Sequence, residues 1–378
     1  MRRARTRAVV TLVTGVGFVM LVASSFAVRA TQTEPRVFTF AAAGDHGTGP
    51  HAAAVFDQIG SSGAAFFLSL GDLIYSARYD ESTWCEFVKS HLGSRGSTFP
   101  FAIIAGAHED GVSYREGLVD NVVSNGTGAN PAYPRCLPNR LPIVESPHLG
   151  TSPSSTGNYA KEYYFDFPSS PPLARFILIS PGLNFKYGGR YDYSEGNPRY
   201  RWVASTIDDA RARGIPWLIV AMHRNCISMG IKSCETGPDI FNLLISRKVD
   251  LILQGHDHNY QRSKQLIINT ACPWISPDSF DPKCVVDPNV TDTYPKGAGT
   301  VLVINGLGGI GTAALYRNDP EAPYFVTSQN SSYGIVKFVV SSTAISGSFV
   351  KATGSYTDAF LISTAGTGGM ASPATRPR

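Results

Sequence analysis

The sequence predicts an α/β fold in which two sheets pack as a βαβ sandwich flanked by helices, within a single domain. Five short apolar runs, rich in Phe, Val, Ile or Leu and lacking helical gaps, read as strands buried on both faces. They are Phe38-Thr-Phe-Ala-Ala-Ala, Phe66-Phe-Leu-Ser-Leu, Phe101-Ala-Ile-Ile-Ala, Trp217-Leu-Ile-Val-Ala-Met and Val249-Asp-Leu-Ile-Leu. Helical patterns alternate with these runs, which implies helices covering a mostly parallel core. A further set of strand candidates has few helices between its members and supplies the second sheet.

In chain order, residues 1–30 begin basic, run uncharged over 9–28 and end in Val28-Arg-Ala30, the small and apolar pattern of a signal-peptidase site. The segment reads as an export signal, which places the protein as secreted or extracytoplasmic. Its apolar stretch approaches the ~20 residues that span a bilayer, so an uncleaved anchor is the competing reading. The domain proper covers 35–365. The first strand is followed by a helix over 51–59, the second strand by a helix over 82–91, and the third strand by an irregular stretch, 110–157, rich in Pro, Gly, Ser and Asn. Strand candidates at 163–167 and 175–180 precede a helix over 200–213, the fourth strand, a helix over 238–247 and the fifth strand. A second irregular stretch, 272–299, is rich in Pro and Asp. Strands at 300–305, 333–340 and 344–350 complete the second set, and 366–378 reads as a disordered tail. Irregular stretches this long in a compact domain are usually functional covers or insertions.

The 378 residues, 43% hydrophobic and 16% charged, fit one large globular domain. The formal charge of +4 comes from the leader: Arg2, Arg3, Arg5, Arg7 and Arg29 lie among the first thirty residues, which hold no acid, leaving 28 basic against 29 acidic residues beyond them. That balance carries no nucleic-acid footprint. Six cysteines in an exported chain favour disulfides over redox or metal chemistry. Cys226 with Cys234 and Cys272 with Cys284 close small loops, which leaves Cys85 with Cys136, although six cysteines formally allow fifteen pairings.

Each of the five runs ends in chemistry. Asp45, Asp72, His108, His223 and the pair His256-Asp-His258 stand just beyond the last apolar residue of their strands. Open α/β sheets bind ligands past the carboxyl ends of their strands, where loops converge. The five clusters therefore point to one site.

These motifs resemble the calcineurin-like metallophosphoesterase superfamily and, within it, the purple acid phosphatases, over about residues 36–363. The superfamily's first motif is Asp-x-His, whereas Gly47 stands at the third position here. Purple acid phosphatases lose that histidine and gain a tyrosine three residues after the second aspartate, as in Gly71-Asp72-Leu-Ile-Tyr75; the Gly-His-x-His-x-Tyr-x-Arg pattern at 255–262 points the same way. The resemblance implies a metallophosphoesterase catalytic domain with Asp45, Tyr75 and His258 on a first metal, His223 and His256 on a second, and Asp72 bridging both. Carboxylate and phenolate oxygens suit a hard Fe(III), and imidazoles suit Fe(II), Zn or Mn. The implied reaction is hydrolysis of a phosphate monoester on a small substrate by a metal-bound hydroxide, with His108 donating a proton to the leaving alkoxide or holding a phosphate oxygen. No nucleic acid and, with the leader cleaved, no stable membrane contact are expected. A phosphodiesterase or a hydrolase of pyrophosphate linkages would use the same core.

One position departs from the family's Gly-Asn-His-Glu. Here it reads Gly106-Ala107-His108-Glu109, and alanine cannot ligate. The second metal is then expected to carry an extra water, bind more weakly or be absent unless Glu109, Asp110 or Asn225 reaches in, and Ala107 is also the mark of a reading from another class, a metal- or phosphate-binding protein without turnover. His46, His51, His91 and His148 fall outside the strand-end pattern and read as surface or structural, with His46 able to line the pocket. Arg224 is a candidate for a phosphate oxygen or simply a solvated side chain. Gly306-Leu-Gly-Gly-Ile-Gly311 matches G-x-G-x-x-G after a strand, yet no βαβ unit continues from it, so a tight glycine turn near the metal site is expected instead.

Overall fold

The computed structural model describes residues 36–75, 81–96, 98–110, 141–147, 159–185, 189–289 and 291–364. The leader, Cys136, His148, most of the 110–157 stretch and the 366–378 tail lie outside the described residues. In chain order the elements are β1 (Phe38–Ala43), α1 (Pro50–Ser61), β2 (Phe66–Ser69), α2 (Glu81–His91), β3 (Phe101–Ile103), β4 (Ile143–Glu145), β5 (Glu162–Phe167), β6 (Ala174–Ile179), β7 (Asn184–Phe185), β8 (Gly189–Arg190) and α3 (Pro198–Ala212). They continue with β9 (Trp217–Met222), α4 (Pro238–Ser246), β10 (Leu251–Gln254), β11 (Tyr260–Ser263), β12 (Thr293–Pro295), β13 (Val301–Asn305), β14 (Phe325–Gln329), β15 (Tyr333–Val340), β16 (Ala344–Thr353) and β17 (Asp358–Ser363). Three helices start on proline, whose fixed φ suits the first helical position. At α3 the Asn197 side chain accepts from Arg199 N, which sets the start two residues ahead of the expected 200.

Two large sheets form, with strand orders β12-β17-β16-β15-β1-β2-β3 and β14-β11-β13-β10-β9-β6-β5-β4. Each has a parallel centre built from βαβ units: β1-α1-β2-α2-β3 in the first, β6-α3-β9-α4-β10 in the second. Antiparallel strands extend both, β15 pairing with β1 and β5 with β6. The two-sheet sandwich is as expected, but the allotment of strands is corrected. The five strands that end in site residues do not share one sheet: β1, β2 and β3 lie in the first, β9 and β10 in the second. The members of the second set are likewise divided, β5, β6 and β13 joining β9 and β10 while β15 and β16 join β1. An apolar run buried on both faces has the same composition whichever sheet receives it, so composition carries no information on partners.

The sheets meet through aromatic side chains. Phe40 of β1 and Phe66 of β2 stand edge-on to Phe176 of β6, with ring centroids 4.9 and 5.2 Å apart, and Phe66 meets Phe165 of β5 at 5.5 Å. Such pairs add about 0.5–1.5 kcal/mol each beyond area burial. Cys226–Cys234 and Cys272–Cys284 are disulfides, and Cys85 is disulfide-bonded to a partner outside the described residues. Among the described residues no helix is long and apolar enough to cross a membrane.

A charged clamp joins the sheets beside the 255–259 turn. Tyr260 and Arg262 of β11 both reach Asp358 of β17: Tyr260 Oη donates to Oδ2 at 2.7 Å, while Arg262 Nε and Nη2 donate to Oδ2 and Oδ1 at 2.7 and 2.8 Å. The Tyr-x-Arg that follows the two histidines thus anchors the histidine turn to the opposite sheet. Asp358→Asn leaves the buried Arg262 guanidinium without its counter-charge and is expected to cost about 3–5 kcal/mol. Chemical denaturation measures it; a loss under about 1 kcal/mol, the scale of an exposed pair, would show that the clamp is not the tie described.

Candidate metal centre

Four strands deliver their polar residues within three positions of their ends: Asp45 after β1, Asp72 after β2, His223 after β9 and His256 after β10. Asp45, Asp72 and His256 adopt φ of 64°, 50° and 72°, a left-handed conformation that costs non-glycine residues on the order of 1–3 kcal/mol each and clusters at functional sites. Neighbouring turns hold them there. The amides of Asp45, His46 and Gly47 donate to the carbonyls of Gly71, Asp72 and Leu73 at 2.9, 2.9 and 3.0 Å. The buried Glu109 carboxylate accepts from the amides of Asp72, Leu73 and Gly106 at 3.0, 2.8 and 2.8 Å. Gly71 is required sterically, since a Cβ there would stand 2.8 Å from both Gly106 N and His223 Nδ1.

The donors converge on two points. Tyr75 Oη lies 2.7 Å from Asp45 Oδ1, 3.1 Å from Asp72 Oδ2 and 3.1 Å from His258 Nε2, and His258 Nε2 is 3.3 Å from Asp45 Oδ1. One phenol proton cannot satisfy three such neighbours. On the other side, Asp72 Oδ1 is 3.3 Å from His223 Nε2, and Asp72, His223 and His256 each offer a ligand atom within 4.8 Å of the others. Asp72 therefore turns one oxygen to each group. The outward nitrogens of two histidines have acceptors, His223 Nδ1 donating to Leu70 O at 2.8 Å and His258 Nδ1 to Gly311 O at 2.9 Å, while His256 Nε2 lies 3.1 Å from Glu235 Oε1 without an aligned hydrogen bond. Outer partners of this kind fix the tautomer of metal-binding imidazoles.

The residues fit a metal pair. His223 Nε2 is buried with no hydrogen-bond partner, pointed at the shared carboxylate. Burial opposes ionisation of Asp72, yet His223 and His108 outweigh it and hold the carboxyl well below its usual range. Burial lowers His223, but Asp72 and Asp45 lift it to about 9. Burial, reinforced by Asp45 and Asp72, pushes the Tyr75 phenol well above 10. Crowded carboxylates beside a phenol are the donor set for which a cation reverses the local proton balance.

Of the other predicted residues, His108 stands at the mouth, its side chain 35% exposed, with Nε2 3.8 Å from Asp72 Oδ2 and its ring 4.2 Å from that of Tyr75. Glu109 does not join either donor group, because its two oxygens are held by the three amides. Asn225 turns its amide nitrogen to Gln254 Oε1 and Gly255 O, and Asp110 is buried. Arg224 is engaged by Gly182 O at 3.0 Å and by Glu235 at 3.3 Å. His46 is fully buried against Ser69 Oγ at 3.1 Å, and burial drives it down to about 4. His51 stacks on Tyr333 and His91 pairs with Asp57. The 306–311 glycines form a turn against the site: Gly308 N donates to Gly44 O at 2.8 Å, and a Cβ on Gly306 would crowd Asp45. Glu235 was not singled out by sequence reasoning. The available signal was the Cys226/Cys234 pair, which obliges the chain to return beside His223.

A family model, Calcineurin-like phosphoesterase, matches residues 38–260. Purple acid phosphatase 1 of Ipomoea batatas is 27% identical over 240 residues, covering 59% of this chain and 43% of the relative. Fe(3+)-Zn(2+) purple acid phosphatase 12 of Arabidopsis thaliana is 25% identical over 228 residues, 56% of this chain and 41% of the relative. The chain thus spans under half the length of these two relatives. The solved purple acid phosphatase PPD1 from seeds of yellow lupin, Lupinus luteus, shares the fold with a TM-score of 0.57 at 18% identity, over 87% of this chain and 54% of that one. The match extends over more than half the sequence and takes in the strand ends that carry Asp45, Asp72, His223 and His256, and the chain belongs to the calcineurin-like phosphoesterase family.

Proposed function

We propose that this protein is an exported, metal-dependent phosphoric ester hydrolase of the purple acid phosphatase type, acting on phosphate monoesters. The observation that carries the reading is Asp72, one oxygen on Tyr75 Oη, which itself meets Asp45 and His258, and the other beside His223. In this reading Asp45, Asp72, Tyr75 and His258 hold Fe(III), while Asp72, His223 and His256 hold Fe(II), Zn or Mn. Metals held there supply Lewis acidity toward phosphoryl oxygens and acidify a water molecule.

The chain's own residues supply the rest. Hydrolysis forms a bond from water oxygen to phosphorus and breaks the ester P–O bond, and the departing alkoxide needs a proton. His108 is half-exposed at the mouth, with its backbone amide fixed on Asp72 Oδ1 at 2.8 Å, and is placed to give that proton. The glycine turn at 306–311 walls the site behind Asp45. Ala107 favours a second reading, retention of metal without turnover.

Purified protein is expected to hydrolyse p-nitrophenyl phosphate faster than its bis-ester, and Asp72→Asn to reduce the rate by at least about 100-fold, beyond the loss of an outer contact. Metal retention without hydrolysis would establish the non-catalytic reading instead. Iron-loaded oxidised protein is expected to show a visible phenolate-to-iron band that Tyr75→Phe removes; colourless iron-replete protein would sink the Tyr75 assignment. With three protein ligands at the second site, activity is expected to fall on dialysis and return with added divalent metal, and Ala107→Asn to lessen that dependence. Two metals per chain after dialysis, with no gain from Ala107→Asn, would mean that another donor already serves.

A further inference from the structure

Outside the two donor groups, one carboxylate addresses a candidate metal ligand from behind. Glu235 Oε1 lies 3.1 Å from His256 Nε2, and its second oxygen, Oε2, lies 3.3 Å from Arg224 Nε. Glu235 is not one of the compact Asp72, His223 and His256 triad. An imidazole that binds a metal through one nitrogen gives the proton on its other nitrogen to an outer acceptor, a carboxylate or a carbonyl. His223 and His258 follow the same rule with main-chain carbonyls as outer acceptors, Leu70 O and Gly311 O. On this outer side His256 alone of the three faces a charged group, whereas His223 and His258 meet Asp72 and Asp45 through their inner nitrogens.

Glu235 reaches this place through covalent and main-chain constraints. The Cys226–Cys234 disulfide closes the loop that leaves His223, and Glu235 N donates to Asn225 O at 3.0 Å. The strained backbone of His256, with its amide on Asp45 Oδ2 at 2.8 Å, fixes the imidazole from the other side. The contact to Nε2 is off the N–H axis, with Arg224 drawing on the second oxygen.

We propose that Glu235 is the positioning residue of the second metal site: it holds the proton of His256 on Nε2 and turns Nδ1 toward Asp72 and His223. The inference rests on the dinuclear reading above. With Ala107 unable to contribute a donor, a charged acceptor behind His256 raises the basicity of one of the three ligands that remain.

The test uses the full chain loaded with iron, titrated with Zn(II) by calorimetry, with metal content measured after dialysis. Glu235→Ala is expected to weaken Zn(II) binding by about 10–100-fold, the usual effect of losing an outer partner, with the Tyr75-dependent iron band and iron content unchanged. Glu235→Gln preserves volume and is expected to show a smaller loss at the same site, so the test stands even where the alanine variant folds poorly. A general structural role would disturb both metals together. Wild-type Zn(II) affinity in both variants, or equal loss of iron and zinc, overturns the positioning role while leaving the dinuclear reading intact. A wild-type chain that takes up no Zn(II) overturns both.

Discussion

The carboxylate of Asp72 is nearly sealed from solvent, and the neighbours within reach of its two oxygens come from three parts of the chain. Tyr75 follows it in the same turn, His108 arrives from the end of β3, and His223 arrives from the opposite sheet. An ionised carboxylate removed from water costs several kcal/mol unless opposite charge or donors surround it. The surrounding turns can be understood as the means of meeting that demand. Left-handed φ at Asp45 and Asp72, the amide ladder between their turns, and the Glu109 contacts all serve to hold one charge in a fixed direction.

Sheet architecture follows from the same demand. Donors from β1 and β2 face donors from β9 and β10 only when two parallel centres bring their carboxyl ends to a common edge. Phenylalanines between the sheets set their separation, and the Asp358 clamp fixes β11 where it leaves the histidine turn. Packing far from the candidate metal centre thereby controls distances of a few ångströms within it.

Strand existence, strand ends and the identity of the converging residues were legible in the sequence because each depends on local pattern: a short apolar run, then a polar side chain at a fixed offset. Sheet membership was not. Pairing β1 with β15 joins residues some 300 positions apart, and nothing in the composition of Phe38–Ala43 names that partner. Glu109 illustrates a second limit, since its carboxylate beside His108 suggested a ligand, yet its geometry turns it to the amides of Asp72, Leu73 and Gly106. Glu235 illustrates a third: its relation to His256 passes through a disulfide and the return of a loop, so it is visible only once the chain is closed.

The Glu109 contacts have a bearing on how such a site changes over evolutionary time. All three of its partners are main-chain amides, which every residue except proline provides, and none belongs to position 107. The Glu109 contacts that brace the 106–109 turn thus do not draw on the side chain at 107. Under the dinuclear reading, a donor side chain at 107 can be gained or lost while these contacts stay in place, so that metal preference and the bracing of the turn are separable.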